Sequence, residues 1–232
     1  YLNEIEEMLN ALDVDIEKDA PAPLFIQQSF LLTHELIHYL LSIDFNRYIR
    51  VIKAKQGLLK RIFSYAQQES DVKLGGSFIE AINNKTLIEE CACDSIGAIS
   101  AIDIGVKLKK QSESGAASSI IDALNYQFIL SCIENFNGQI NGKINFDELN
   151  QFNFRSLHLK AFMSRYLCDE FGSDSADKFE VSVQKSDYFI NNTIQMIARL
   201  YKDESFSLQE YFDNGDSISL EVRKQLLQIY SL

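Results

Sequence analysis

From about Leu24 to Ile43 the apolar residues recur every three or four positions with no glycine or proline among them, which predicts an amphipathic helix. The same spacing predicts a second helix from about Asn46 to Gln68. It returns over 78–110, where "SFIE" (77–80) and "TLIE" (86–89) each place Ser or Thr three residues before Glu, the capping-box pattern of a helix start. One long helix, or two joined at Asn83-Asn84, satisfies that stretch. A polar loop, "QSESGAASS" (111–119), precedes an apolar helix over about 118–136, and further helices are expected near 154–171, 175–202 and 216–230. "GQINGKINF" (138–146) sets Asn-Gly between alternating apolar residues, which fits a short β-hairpin. Pro21 and Pro23 stand in "DAPAPLF" (19–25), a linker running into a helix start, because proline is best tolerated in a first helical turn.

The fold expected is therefore mainly α, with a minor hairpin. An acidic N-terminal helix occupies 1–20 and a helical domain 21–171. A C-terminal helical extension over 172–232 begins at "GSDSAD" (172–177) and packs on the same core.

Charge narrows the partners. Lys and Arg total 22 against 33 Asp plus Glu, a net charge of −11, and such a surface repels phosphate backbones, so no nucleic-acid partner is expected. No stretch reaches the roughly 18–20 uninterrupted apolar residues of a membrane span, and no basic segment leads into an apolar one as in a signal peptide. The opening residue, Tyr1, suggests an upstream segment. Four cysteines, Cys91, Cys93, Cys132 and Cys168, do not make a disulfide framework in 232 residues, so a reducing, cytoplasmic setting is expected.

Chemistry enters with "THELIHYL" (33–40). In H-E-x-x-H the two histidines lie one helical turn apart on one face, so the ring nitrogens of His34 and His38 can converge on one tetrahedral metal. Glu35 stands beside the first ligand, where a carboxylate can take a proton from an attacking water and deliver it to a leaving amine. With three histidines in the chain, chance would produce this pattern with a probability on the order of a few in a thousand. The apolar neighbours Phe30, Leu31, Leu36, Ile37, Leu40 and Leu41 suit a rigid metal helix and any buried helix alike.

Two histidines need a third ligand. No histidine follows His38 until His158, which excludes the longer three-histidine pattern, and no second E-x-x-H exists to build a di-iron bundle. In "LIEECACDSIGA" (87–98) Glu90 and Asp94 lie four residues apart on one helical face. Glu90 can complete the site and leave a fourth position open, and Asp94 can accept the free ring N–H of a ligand histidine. Gly97, seven residues after Glu90, would let two helices approach closely. Cys93 shares much of that face, but C-x-C is poor tetrahedral spacing and buried free cysteine behaves as a small apolar residue, so packing is its expected role. Glu89 is expected to be a cap or surface residue.

H-E-x-x-H followed about fifty residues later by E-x-x-x-D resembles the ligand pattern of gluzincin zinc metallopeptidases. "EECACDS" (89–95) is similar to the E-x-x-A-D segment of the HtpX and CaaX-prenyl-protease type and to that of the Lit phage-exclusion peptidase. The resemblance covers roughly residues 30–100, with Cys93 where those groups carry Ala. It implies a helical zincin-like domain holding Zn2+ on His34, His38 and Glu90, and hydrolysis of a protein or peptide substrate in a dedicated regulatory or defence cleavage. The absence of transmembrane helices favours a soluble, Lit-like form. Such families place a His-Pro and then an Arg near the substrate oxyanion. "LHLKAFMSRY" (157–166) has His158 and Arg165, without the proline and with a spacing one residue longer. His158 is either that helper or an ordinary packed or surface histidine; Arg155, Arg165 and Tyr166 are further candidates for the oxyanion or substrate.

"KAKQGLLKR" (53–61) reads as a solvated basic face or as a binding site for an acidic substrate segment, and the phenylalanines between 128 and 171 as core. The rival reading is a helical binding or regulatory module with a structural or degenerate zinc site, since no β-branched strand that could seat a substrate precedes the motif. Retention of Glu35 speaks for catalysis, because a structural site needs no base. Oligomeric state has no signature in the chain.

Overall fold

The computed structural model describes residues 21–69, 83–139 and 146–200, and every regular element among them is a helix. The mainly α expectation is met. The expected helices at 2–18 and 216–230 lie outside the described residues. So does the hairpin's turn, 140–145, while residues 138–139 end one helix and Phe146 begins the next.

Helix α1, Ala22–Ile43, starts at its prolines: Pro21 is the N-cap at φ −52° and ψ 141°, and Pro23 sits in the first turn, where no N–H partner is lost. A single residue, Asp44, separates it from α2, Phe45–Glu69, and closes the corner by accepting the Arg47 N–H at 3.0 Å. Helix α3, Lys85–Lys109, is capped by Asn84, whose side chain accepts the Leu87 N–H at 3.2 Å. The cap therefore lies two residues before the Thr86 expected from the capping box, and Thr86 and Glu89 are helical. Helix α3 ends where Lys110 turns left-handed at φ 50°.

Helix α4, Glu113–Gln139, takes in most of the expected polar loop. Ser112 Oγ accepts the Gly115 N–H at 3.2 Å, and the next serines fold back on the helix: Ser118 Oγ donates to Ser114 O at 2.8 Å and Ser119 Oγ to Gly115 O at 3.0 Å. Hydroxyls satisfied in this way can be buried, which a reading by polarity misses. Helix α5, Phe146–Phe171, begins eight residues before its expected start, and α6, Ser173–Leu200, follows after Gly172 alone. Gly172 has φ 90°, a conformation that other residues adopt only under strain.

Helices α1, α3, α4, α5 and α6 share one core, with Phe25, Ile26, Phe30, Ile102, Ile120, Leu124, Leu159, Met163 and Phe179 wholly or almost wholly buried. Thus α6, within the expected extension, contributes Phe179 and Val183 to the same core as α1. Glu113–Glu134 of α4 is long and apolar enough to cross a membrane by length and composition. Its Ala116, Ala117, Ile120, Ile121 and Leu124 are packed in this core.

Helix α2 leans on the other side of α3. There Ile37, Leu40, Leu41 and Cys93 form a smaller cluster, with Tyr48, Val51 and Ile96 against it. Cys93 is fully buried in that cluster, in its expected packing role, and burial pushes its thiol well above the usual range. All four cysteines are free.

Candidate metal centre

The centre is built where α1 and α3 cross in opposite directions. Ile26 meets Gly105, His34 meets Gly97 and Asp94, and His38 meets Glu90 and Glu89, so each step along α1 matches a step back along α3. Gly97 permits the approach as expected: a Cβ there would lie 3.3 Å from the His34 backbone nitrogen. Thr33 Oγ1, 3.4 Å from Gly97 O, ties the two backbones together.

His34 is buried, at 6% exposure. Its Nδ1 lies 3.0 Å from Asp94 Oδ1, off the N–H axis, so the contact is an ion-pair approach rather than a linear hydrogen bond. Its Nε2 points the other way, 3.3 Å from Glu90 Oε2. His38 repeats the arrangement one turn on, with Nδ1 3.0 Å from Glu89 Oε1 and Nε2 3.2 Å from Glu90 Oε1. With a metal bound, a carboxylate beside each Nδ1 favours the ring proton there and would leave both Nε2 lone pairs to the ion.

Those atoms fit a metal ion. His34 Nε2 and His38 Nε2 are 3.1 Å apart, and each lies 3.2–3.3 Å from a Glu90 oxygen. A tetrahedral ion with bonds of ~2.0–2.1 Å has ligand-to-ligand edges of ~3.3–3.4 Å. Among the described residues His34, His38 and Glu90 are the group of metal-ligating side chains close enough to hold an ion. The expected third ligand is thus brought to the two histidines, with Asp94 behind His34. Glu89, expected to be a cap or surface residue, instead stands behind His38. Its signal was available: in an antiparallel pair, if Asp94 serves His34, the residue serving His38 must lie about one turn earlier in α3.

Arg155 on α5 locks this arrangement. Its Nε and Nη2 donate to Asp94 at 2.9 and 2.8 Å, and Nη1 lies 3.0 Å from Glu90 Oε2. Asp94 is fully buried, which by itself disfavours its charge, but the bidentate guanidinium and His34 hold its carboxyl below the usual range. Glu90 is likewise held low against burial by His34 and Arg155. Arg155, a candidate for the oxyanion or substrate, has its donors committed to the two carboxylates, so it positions the candidate ligand set.

The remaining oxyanion candidates lie elsewhere. His158 is 1% exposed and stacks on Phe162 at 6.4 Å; neither ring nitrogen has a hydrogen-bond partner among the described residues. Burial, with Lys55 nearby, keeps its ring well below the usual histidine pKa. Arg165 pairs with Asp169 one turn along its own helix, and Tyr166 packs between Phe162 and Phe171. None of the three lines the cleft described below. Lys55, read in sequence as part of a solvated face, turns inward: its ammonium donates to Ser95 Oγ at 2.8 Å, and burial pushes its pKa down to about 8 despite Cys91 and Asp94.

The three ligands form the floor of an open cleft of about 420 Å³ between α1, α4 and α5. Glu35 is exposed and lines the same cleft, with Phe30, Leu31 and Phe152 as apolar wall. The candidate centre is therefore open on one side.

Two predictions follow the ligand set. Glu90→Ala is expected to weaken metal binding by more than about a hundredfold, beyond the 10–100-fold that loss of an outer partner costs, while Cys93→Ala leaves it unchanged. Competition with a chromophoric chelator reads both values, and the reverse order would refute the assignment.

The second concerns pH. Burial opposes protonation of His34, but Asp94 and Glu90 outweigh it and raise its pKa to about 9. In metal-free protein the ring then carries a proton at neutral pH, which an incoming metal must displace. Affinity should rise about tenfold per pH unit up to about 9 and then level off. The stability of metal-free protein moves the opposite way, because a raised pKa stabilises fully below about 6.5 and is lost as pH rises through about 9. Calorimetric titration in buffers of different ionisation enthalpy measures the released proton; flat affinity would contradict the assignment.

No family model, no curated protein and no solved structure matches this chain, so its reading rests on the geometry of the centre.

Proposed function

We propose that this chain is a zinc-dependent endopeptidase that hydrolyses a peptide bond in a protein substrate. One observation carries the reading: His34 Nε2, His38 Nε2 and the Glu90 carboxylate converge at tetrahedral spacing on the floor of an open cleft that Glu35 also lines. When bound, zinc supplies Lewis-acid chemistry, polarising a carbonyl and making water acidic enough to ionise near neutral pH.

The chain does the rest. Glu35 accepts the proton of the attacking water on its carboxylate and passes it to the departing amine nitrogen. Glu89, Asp94 and Arg155 hold the ligands in register, so no reorganisation is needed when charge develops. A dedicated cleavage of one partner, rather than broad digestion, follows from the resemblance to the Lit-type peptidases. The structural-zinc module remains the second reading, favoured by the absence of any strand among the described residues on which a substrate backbone could pair.

Elemental analysis of protein purified without chelators, joined to a search for new peptide termini in a mixture of unfolded proteins, tests the proposal. Stoichiometric zinc and chelator-sensitive cleavage support it. Zinc without cleavage favours the structural module, and iron in the site would favour oxygen chemistry on a two-histidine, one-carboxylate set.

A further inference from the structure

The wall of the cleft opposite α1 carries none of the candidate metal ligands. It is one face of α4, where Gln127, Leu130, Ser131 and Glu134 stand at helical spacings of three and four and all line the cleft. Leu130 is 42% exposed, and across from it on α1 Leu31 is 38% exposed, so two large apolar side chains face open space. The cleft carries carboxylates that no side-chain cation engages. Among the described residues Arg155 is the one Lys or Arg lining it, and Asp94 and Glu90 engage its guanidinium. Glu35 and Glu134 are exposed and have no ion-pair partner among the described residues. The net charge of −11 adds to the same field.

We propose that this wall is a specificity subsite for a basic side chain of the substrate, with Glu134 as the residue that selects Lys or Arg. The inference rests on the peptidase reading of the metal floor and names its substrate class: a peptide with a basic residue close to the scissile bond. Lysine and arginine carry aliphatic stems of three or four methylenes below the charge. Such a stem can lie across Leu31 and Leu130 while the head reaches Glu134, one turn beyond Leu130. An acidic side chain would instead face Glu134 and Glu35, and a neutral one would leave Glu134 unpaired. With no strand to pair with among the described residues, side-chain subsites must supply more of the selectivity than backbone ladders do.

The test uses the full chain reconstituted with zinc, and fluorescent peptides with degenerate flanks around one fixed residue: Lys, Arg, Gln or Glu. Fluorescence anisotropy gives the dissociation constants, and the metal content of the same samples is measured. Lys and Arg peptides should bind about fivefold more tightly than the Gln peptide, the scale of one partly exposed ion pair, with the Glu peptide weakest. Glu134→Gln should abolish that preference, Glu134→Lys should reverse it, and added salt should shrink it.

Equal affinity for all four peptides, binding of none, or a preference that survives Glu134→Gln would overturn the assignment. The metal measurement separates the two readings. Protein that takes up no metal yet selects Lys or Arg through Glu134 refutes the peptidase and keeps the subsite. Protein that takes up zinc and cleaves without charge preference refutes the subsite alone.

Discussion

Glu35→Gln is expected to lower peptide hydrolysis by about 10²–10⁴-fold, the usual contribution of a positioned general base, while bound metal stays at the wild-type level. The two readouts separate because of where Glu35 stands. It lines the cleft with the three ligands but is not one of the group close enough to share an ion. It is exposed and has no ion-pair partner among the described residues, so exchanging the carboxylate for an amide should leave stability within about 0.5 kcal/mol. Elemental analysis, a denaturant melt and the rate on a peptide that the wild type cleaves together decide it. Full activity in the variant would remove Glu35 from the mechanism. Loss of metal would mean that Glu35 is a ligand and that the inner set is misassigned.

Arg155→Met should cost about 3–5 kcal/mol of folding stability, the range for breaking a buried ion pair by removing one partner. Asp94 is fully buried and takes both ends of the guanidinium fork, so truncation leaves a carboxylate whose remaining cations are His34 beside it and, without a direct contact, Lys55. Glu90 loses its guanidinium contact as well, so metal affinity should fall together with stability. Arg155→Lys should rescue little, since an ammonium cannot span two carboxylates in a planar fork. The double variant Arg155→Met, Asp94→Leu should recover much of the stability, because a buried pair replaced by apolar side chains of similar size is often no less stable. The metal affinity should stay low, because His34 has lost its Asp94 partner. Urea unfolding of the metal-free proteins measures the stabilities; an unchanged midpoint in Arg155→Met would refute the clamp.

Most helices could be read from the chain because their signals are local. Apolar spacing, Pro21-Ala22-Pro23 and Gly172 act within a few residues, and α1, α2 and α6 begin close to where the pattern puts them. The misplaced boundaries share a cause. At α4 the serines looked like loop because polarity was taken for exposure, whereas the Ser118 and Ser119 hydroxyls bond to carbonyls one turn back, and Ser114 and Ser119 are buried. At α3 the capping box pointed to Thr86, whereas Asn84, read only as part of a joint, supplies the cap.

The candidate centre divides along the same line. The chain carries locally the information that His34 and His38 share a helical face with Glu35 beside the first, and that Glu90 and Asp94 share another, because helical periodicity is a property of one segment. It also indicated the close approach at Gly97. Packing between helices sets these faces antiparallel, which places Glu89 behind His38 and brings Arg155 across from α5 onto Asp94 and Glu90. It also moved His158 away from the oxyanion role, since a residue three positions after Arg155 on α5 stacks on Phe162 in the interior. Contacts between residues about sixty positions apart depend on how helices pack. That packing is the summed outcome of burying many side chains, and no single segment records it.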